Sequence, residues 1–127
     1  QVIQNVSALS ADCMVIRREV FDAAGGFDAE HFPRCYGDVD LCLRLRDMGF
    51  RAVWTPYARV CQFARATASR GFEIPRKPNQ ETIHLQERWR HLLALDPHYN
   101  PNLTLEWDDF SIALPPRTIS SRPKETL

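Results

Sequence analysis

Glycine and proline divide this 127-residue sequence into three short helical stretches. Gly25-Gly26 closes the first, Gly49 the second and Asp96-Pro97 the third. The residue past a helix end often enters the left-handed region that glycine tolerates, and proline cannot continue the hydrogen-bond ladder. The first stretch, Arg17 to Ala24, puts Val20, Phe21 and Ala24 on one face, and Phe27 is expected to fold back onto its last turn. In the second, Leu41, Leu45 and Met48, flanked by Cys42, form the buried stripe, while Asp40, Arg44 and Asp47 share the opposite face. Asn79 caps the third, which runs to about Leu95 with Leu85, Trp89 and Leu92 aligned.

The remaining apolar stretches read as strands. Asn5 to Ile16 has the pattern of a buried strand that begins in small residues, Ser7 to Ala11. Phe50 to Thr55 is β-rich until Pro56 breaks it, and Ala58 to Phe63 offers a second short strand. Asp28 to Tyr36 reads as a loop, and Ala64 to Pro78 as a mobile loop or crossover. Together these give an α/β chain with one domain over residues 1–114 and a flexible tail over 115–127.

Sixteen Lys and Arg against sixteen Asp and Glu leave no net charge, so no global field recruits nucleic acid or an anionic membrane. The apolar run at Cys13 to Ile16 is far short of the roughly 20 residues a membrane helix needs, and no span is expected. The sequence opens on Gln1-Val2-Ile3-Gln4, without an initiator Met or a leader, and reads as a fragment. Cys13, Cys35, Cys42 and Cys61 form no CxxC pair and are expected to be reduced, buried thiols, with a zinc site or a disulfide as alternatives.

Asp38 and Asp40 stand at the mouth of the second helix. A carboxylate there meets the positive end of the helix dipole and unpaired N–H groups, which favour negative charge. Such a group can take a proton from a hydroxyl as that oxygen attacks an electrophile. The plainer alternative makes Asp38 a cap and pairs Asp40 with Arg44 four residues on. His84, His91 and His98 recur every seven residues, roughly 10.5 Å apart along a helix, too far to share one metal ion. Arg65, Arg70, Arg76 and Lys77 form a basic cluster suited to a phosphate or to plain solvation. Trp89 is either a platform for a sugar or a core residue.

Read in order, Val15 to Phe21, Gly25-Gly26-Phe27-Asp28, Asp38-Val39-Asp40-Leu41-Cys42-Leu43-Arg44, Gly49-Phe50-Arg51 and Trp54-Thr55-Pro56-Tyr57-Ala58 make a specific series. It resembles the acceptor-side, C-terminal half of bacterial family 2 nucleotide-sugar glycosyltransferases. Ala68 to Gly71, Arg88-Trp89 and Asp96 to Leu103 extend the likeness over roughly residues 5 to 105. The resemblance implies part of an α/β nucleotide-diphosphosugar transferase (GT-A-like) fold: a mixed sheet fragment with three main helices. It implies an inverting transfer of a sugar from a nucleotide diphosphate to a surface-glycan acceptor, with Asp38 as the general base. Asp40, Arg70 and Trp89 become substrate contacts, Mg or Mn the divalent metal, and the cytoplasm or the inner face of the membrane the place of work.

The sequence departs from the family's pattern in three ways. The donor-binding strands and D-x-D carboxylates of the N-terminal half have no counterpart here. The His pair expected between Ala58 and Ser69 is replaced by residues such as Phe63 and Ala64, and Gln86 to Trp89 is one residue short of Q-x-x-R-W. The chain alone is therefore expected to be inactive and to bind no metal. The alternative is a non-catalytic remnant acting as a binding module or a homodimer.

Overall fold

A computed structural model of the chain describes residues 2–61, 78–93, 96–104 and 110–115. Strand β1 (Gln4–Val6) is followed by a 3-10 turn at Ala11–Cys13 and helix α1 (Arg18–Ala23). Then come helix α2 (Gly37–Asp47), strand β2 (Ala52–Trp54) and helix α3 (Gln80–Leu93). The strands pair antiparallel, with Gln4 opposite Trp54, Asn5 opposite Val53 and Val6 opposite Ala52. The described residues are thus α/β with three helices, and their sheet is an antiparallel pair where a mixed one was expected.

The helix ends follow the sequence closely. Gly25 and Gly26 both take positive φ, 80° and 66°, and the Gly26 N–H returns to the Phe21 carbonyl. A Cβ on Gly26 would stand 3.2 Å from the Phe21 ring, so glycine is needed there for space as well as for φ. Phe27 packs edge-on against Phe21, ring centroids 5.5 Å apart, as expected. Asn79 caps α3: its Oδ1 accepts the Thr82 N–H and the Thr82 hydroxyl, each at 2.8 Å.

The small core lies between α2, α3 and the 28–36 loop, and consists of Phe32, Leu43, Leu85 and Trp89 with Tyr36, Val39 and Leu92 against them. Glu81, itself buried, locks the loop to α3 by accepting the Arg34 and Cys35 N–H groups on Oε2 at 3.3 and 2.7 Å. Leu41 and Cys42 are buried as well, and the Leu9 N–H before α1 reaches the Cys42 sulfur at 3.4 Å.

The face expected for α2 is corrected in part: Leu41 and Cys42 are buried as expected, but the stripe is wider and shifted. Asp40 is fully buried and Leu43 is a core residue, while Met48 is 45% exposed. Hydrophobic periodicity counts every carboxylate as outward, but Asp40 is surrounded by donors. Arg44 Nε gives it a hydrogen bond at 2.8 Å and Trp89 Nε1 another at 2.9 Å, and Arg88 lies 3.3 Å away. Two strands are also corrected. The expected strand from Asn5 to Ile16 is regular only to Val6, because Ser10 caps the Ala11–Cys13 turn through the Asp12 N–H. Ala58 to Cys61 forms no strand, since β1 pairs only with β2 among the described residues. The expected Ala64–Pro78 loop lies almost wholly outside the described residues, as does the tail beyond residue 115.

Removing the Asp40 carboxylate strands Arg44, whose side chain is 16% exposed, together with a buried indole N–H. Asp40→Ala is expected to lower the unfolding free energy by about 3–5 kcal/mol. Asp47→Ala, on the exposed side of the same helix, should change it by less than about 0.5 kcal/mol. Urea denaturation of both variants checks the orientation of α2, and equal losses would contradict it.

Candidate functional site

Asp38 sits in the first turn of α2, two residues after Tyr36, whose backbone is left-handed at φ 64°. A non-glycine residue in that region costs on the order of 1 kcal/mol and is held by its surroundings. Here the Tyr36 carbonyl accepts the Asp40 N–H at 2.8 Å, and the Tyr36 hydroxyl meets the Thr82 hydroxyl of α3 at 3.4 Å. The strained residue thus fixes where α2 starts and what its first carboxylate faces.

The Asp38 carboxylate is held by backbone rather than by side chains. Its Oδ2 accepts the Ala11 N–H at 3.0 Å, and its Oδ1 accepts the Val39 N–H at 2.9 Å. Asp38 is therefore no simple helix cap: Tyr36 occupies the cap position, and Asp38 joins the Ala11–Cys13 turn to the helix mouth. It is 5% exposed. Each oxygen offers about two lone-pair directions and spends one on an N–H, so one on each is left for a further donor.

Asp40 and Trp89 are brought together, but as core. Asp40 is fully buried, both its oxygens are taken, and Trp89, 4% exposed, gives its indole N–H to Asp40. The backbone of α3 leaves helical geometry at Trp89 (φ −113°, ψ 16°), where the helix kinks. Asp40 has no exposed surface and the Trp89 indole N–H is already donated to it, and the i, i+4 pairing of Asp40 with Arg44 is present. Arg70 lies outside the described residues, as do Arg65, Arg76 and Lys77.

Sequence reasoning missed Asp28, Arg88 and Glu81. Arg44 donates beyond Asp40 to the Ala24 carbonyl and, at 2.7 Å, to the Gly26 carbonyl, which ties α2 to the end of α1. Arg88 bridges Asp28 at 2.9 Å and Asp40 at 3.3 Å. Asp28 also accepts the His31 N–H at 3.1 Å and meets the His31 ring at 2.9 Å. Burial pushes the Asp28 carboxyl up, but the His31 N–H, the His31 ring and Arg88 together outweigh it and hold the pKa at about 2. The 40/44 and 28/31 pairs are local along the chain, whereas Arg44 reaches carbonyls 18 and 20 residues away, and Glu81 and Arg88 meet partners 46 to 60 residues away, where no sequence pattern marks them.

The histidines do not converge. His84 stacks on His31 with ring centroids 4.3 Å apart, and His91 and His98 are exposed. Among the described residues no three His, Cys, Asp or Glu side chains are grouped to hold a metal. The expectation of buried thiols holds only for Cys42: Cys13 and Cys61 are exposed and Cys35 is intermediate. Burial pushes the Cys42 thiol up, the Leu9 backbone bond opposes this, and the Asp38 charge adds to it.

The Asp28 carboxyl titrates at 3.8 when unperturbed and at about 2 here, so its contribution to stability is complete above pH 4 and is lost as pH falls from about 4 to 2. Asp28→Asn should remove that acid-side decline, giving a flatter profile of urea midpoints between pH 5 and 2. A variant profile as steep as the wild type would place the acid sensitivity elsewhere.

No family model matches the chain, and no solved structure matches it. It is 42% identical over 123 residues to an uncharacterized protein of Sinorhizobium fredii, covering 94% of this chain and 13% of that protein. It is 37% identical over 106 residues to the O-antigen biosynthesis protein RfbC of Myxococcus xanthus, covering 84% of this chain and 8% of RfbC. Over 55 residues it is 42% identical to an N-acetylglucosaminyl-diphospho-decaprenol L-rhamnosyltransferase of Mycobacterium tuberculosis, covering 43% of this chain and 18% of that enzyme. The chain spans less than a fifth of each of these relatives. No helix among the described residues is long and apolar enough to cross a membrane. The chain is glycosyltransferase-related in sequence, through segments of much longer proteins.

Proposed function

We propose that this chain is the acceptor side of an inverting glycosyltransferase of the α/β nucleotide-diphosphosugar (GT-A-like) type, with Asp38 as its general base. One observation carries the reading. In a chain related to an O-antigen biosynthesis protein and a rhamnosyltransferase, a carboxylate at a helix mouth is fixed by two backbone N–H groups and keeps a lone pair on each oxygen.

Such a carboxylate suits one task. As an acceptor hydroxyl attacks the anomeric carbon of the donor sugar, its proton passes to an Asp38 oxygen and a new C–O bond forms. The bond from that carbon to the nucleoside diphosphate breaks on the opposite face, and the diphosphate leaves with the electron pair. A single displacement inverts the centre. Because the Ala11 and Val39 N–H groups already hold the carboxylate, it need not reorient when the hydroxyl arrives.

Asp40 supports the reading from behind. With Arg44, Arg88 and Trp89 it fixes α2 against α1 and α3, and so fixes the helix mouth. A magnesium or manganese ion on the donor diphosphate would stabilise the leaving group, but the described residues do not supply three ligands for it. On this reading the chain binds acceptor, and transfer also requires a donor site.

The Mycobacterium relative's name points to the probe, N-acetylglucosaminyl diphosphate on a short prenyl tail. Calorimetric titration should detect its binding to the chain, weakened about tenfold in Asp38→Ala through loss of a charge-assisted hydrogen bond. UDP- and dTDP-sugars, with or without manganese, should bind far more weakly. Absence of acceptor binding, or binding that ignores Asp38→Ala, would overturn the proposal.

A further inference from the structure

The end of β1, the last turn of α2, the start of β2 and the turn at Pro97-His98 meet around a cavity of about 190 Å³. Val6 stands opposite Ala52 across the two strands. The Ser7 hydroxyl donates to Asp96 Oδ1 at 2.5 Å, and the same oxygen accepts the His98 N–H at 2.8 Å. This link between residues 89 apart in sequence seats His98 at the cavity wall.

The charge of that wall has one sign. Arg46, Arg51 and His98 line the cavity, and no carboxylate does. Arg44 and Arg46 are both half-buried on α2, but Arg44 is paired with Asp40, whereas the Arg46 side chain has no hydrogen bond or ion pair among the described residues. The Arg51 side chain has none among them either. Asp96 does not answer this charge, since it makes no ion pair with either arginine. The C-terminal end of α2 contributes about half a negative charge, less than two guanidinium groups bring. A guanidinium that has lost part of its water without gaining an opposite charge is stabilised by an anion placed beside it.

We propose that this cavity binds a diphosphate group, at a site separate from the Asp38 carboxylate, which is not among its lining residues. The planar guanidinium fork matches phosphate oxygens two at a time. Two forks present more donors than the two oxygens of a carboxylate can take, and linked phosphoryl groups supply the further oxygens. The volume is several times the roughly 30 Å³ share of one water, so the group need not remain at the rim. Phe50 and Pro97 give the wall an apolar side, against which a group esterified to the diphosphate can rest. That group is a prenyl chain or a nucleoside, and both bring the same diphosphate.

Calorimetric titration of the full chain with inorganic pyrophosphate should show binding at millimolar concentration. Arg46→Ala and Arg51→Ala should each weaken it about tenfold through loss of charge-assisted hydrogen bonds. Arg46→Lys, which keeps the charge but not the fork, should weaken it roughly threefold. Arg90→Ala, at an exposed arginine on α3 away from the cavity, should bind like the wild type. Because Arg46 has no partner among the described residues, its removal should leave the urea midpoint unchanged; if that variant fails to fold, Arg51→Ala, at an exposed position, carries the test. Geranyl diphosphate and UDP distinguish the sources, since whichever gains more over pyrophosphate identifies the group the apolar side receives. No binding of pyrophosphate, binding unchanged in both arginine variants, or an equal loss in Arg90→Ala would each overturn the proposal. Pyrophosphate carries no sugar hydroxyl, so Asp38→Ala should bind it like the wild type, and this site and acceptor binding at Asp38 can fail separately.

Discussion

One buried carboxylate organises the described part of this chain. Asp40 has no contact with water, and each of its oxygens accepts a hydrogen bond from a different element, Arg44 on its own helix and Trp89 on α3. Arg44 reaches on to the carbonyls that end α1, and Arg88 reaches on to Asp28 in the following loop. Three helices therefore meet through one charge. Burying that charge costs several kcal/mol unless donors surround it, and here they do, with no buried side-chain polar atom left unpaired among the described residues. The hydrophobic core is small, so alignment of the helices depends on directional bonds that tolerate little rotation.

This network explains how rigidity reaches Asp38. Asp38 and Asp40 are two residues apart on the first turn of α2, so what fixes one fixes the other. The left-handed Tyr36 holds the helix start, and Glu81 grips the loop before it from α3. The Ala11–Cys13 turn then closes over the helix mouth and gives its N–H to Asp38. A carboxylate positioned for proton transfer is thus supported by a second one that is sealed from solvent.

Local chemistry was legible in the sequence. The Gly25-Gly26 stop, the Asn79 cap, the three helices and the Phe27 fold-back all depend on interactions within a few residues, and these can be read along a chain. The inward turn of Asp40 was not legible, because its donor Trp89 is 49 residues away and a charge at helical spacing looks the same inside or outside. The strand from Asn5 to Ile16 failed for the opposite reason. Its composition suits burial, but Ser10 diverts the backbone into a turn and leaves Val15 exposed. Asp38 was found from its place at a helix start, whereas the Ala11 N–H that defines its geometry comes from 27 residues upstream.

The Cys42 sulfur lies under this arrangement, against the Leu9 backbone and one turn below Asp38. Thiolates are the form that reacts with oxidants and alkylating reagents, and burial together with the nearby carboxylate disfavours that form at Cys42. Cys13 and Cys61, both exposed, are accessible to such reagents from the start. Cys42, 4% exposed, is therefore expected to be modified more slowly than either of them. The order in which the sulfurs react thus reports on the packing between the Leu9 backbone and α2.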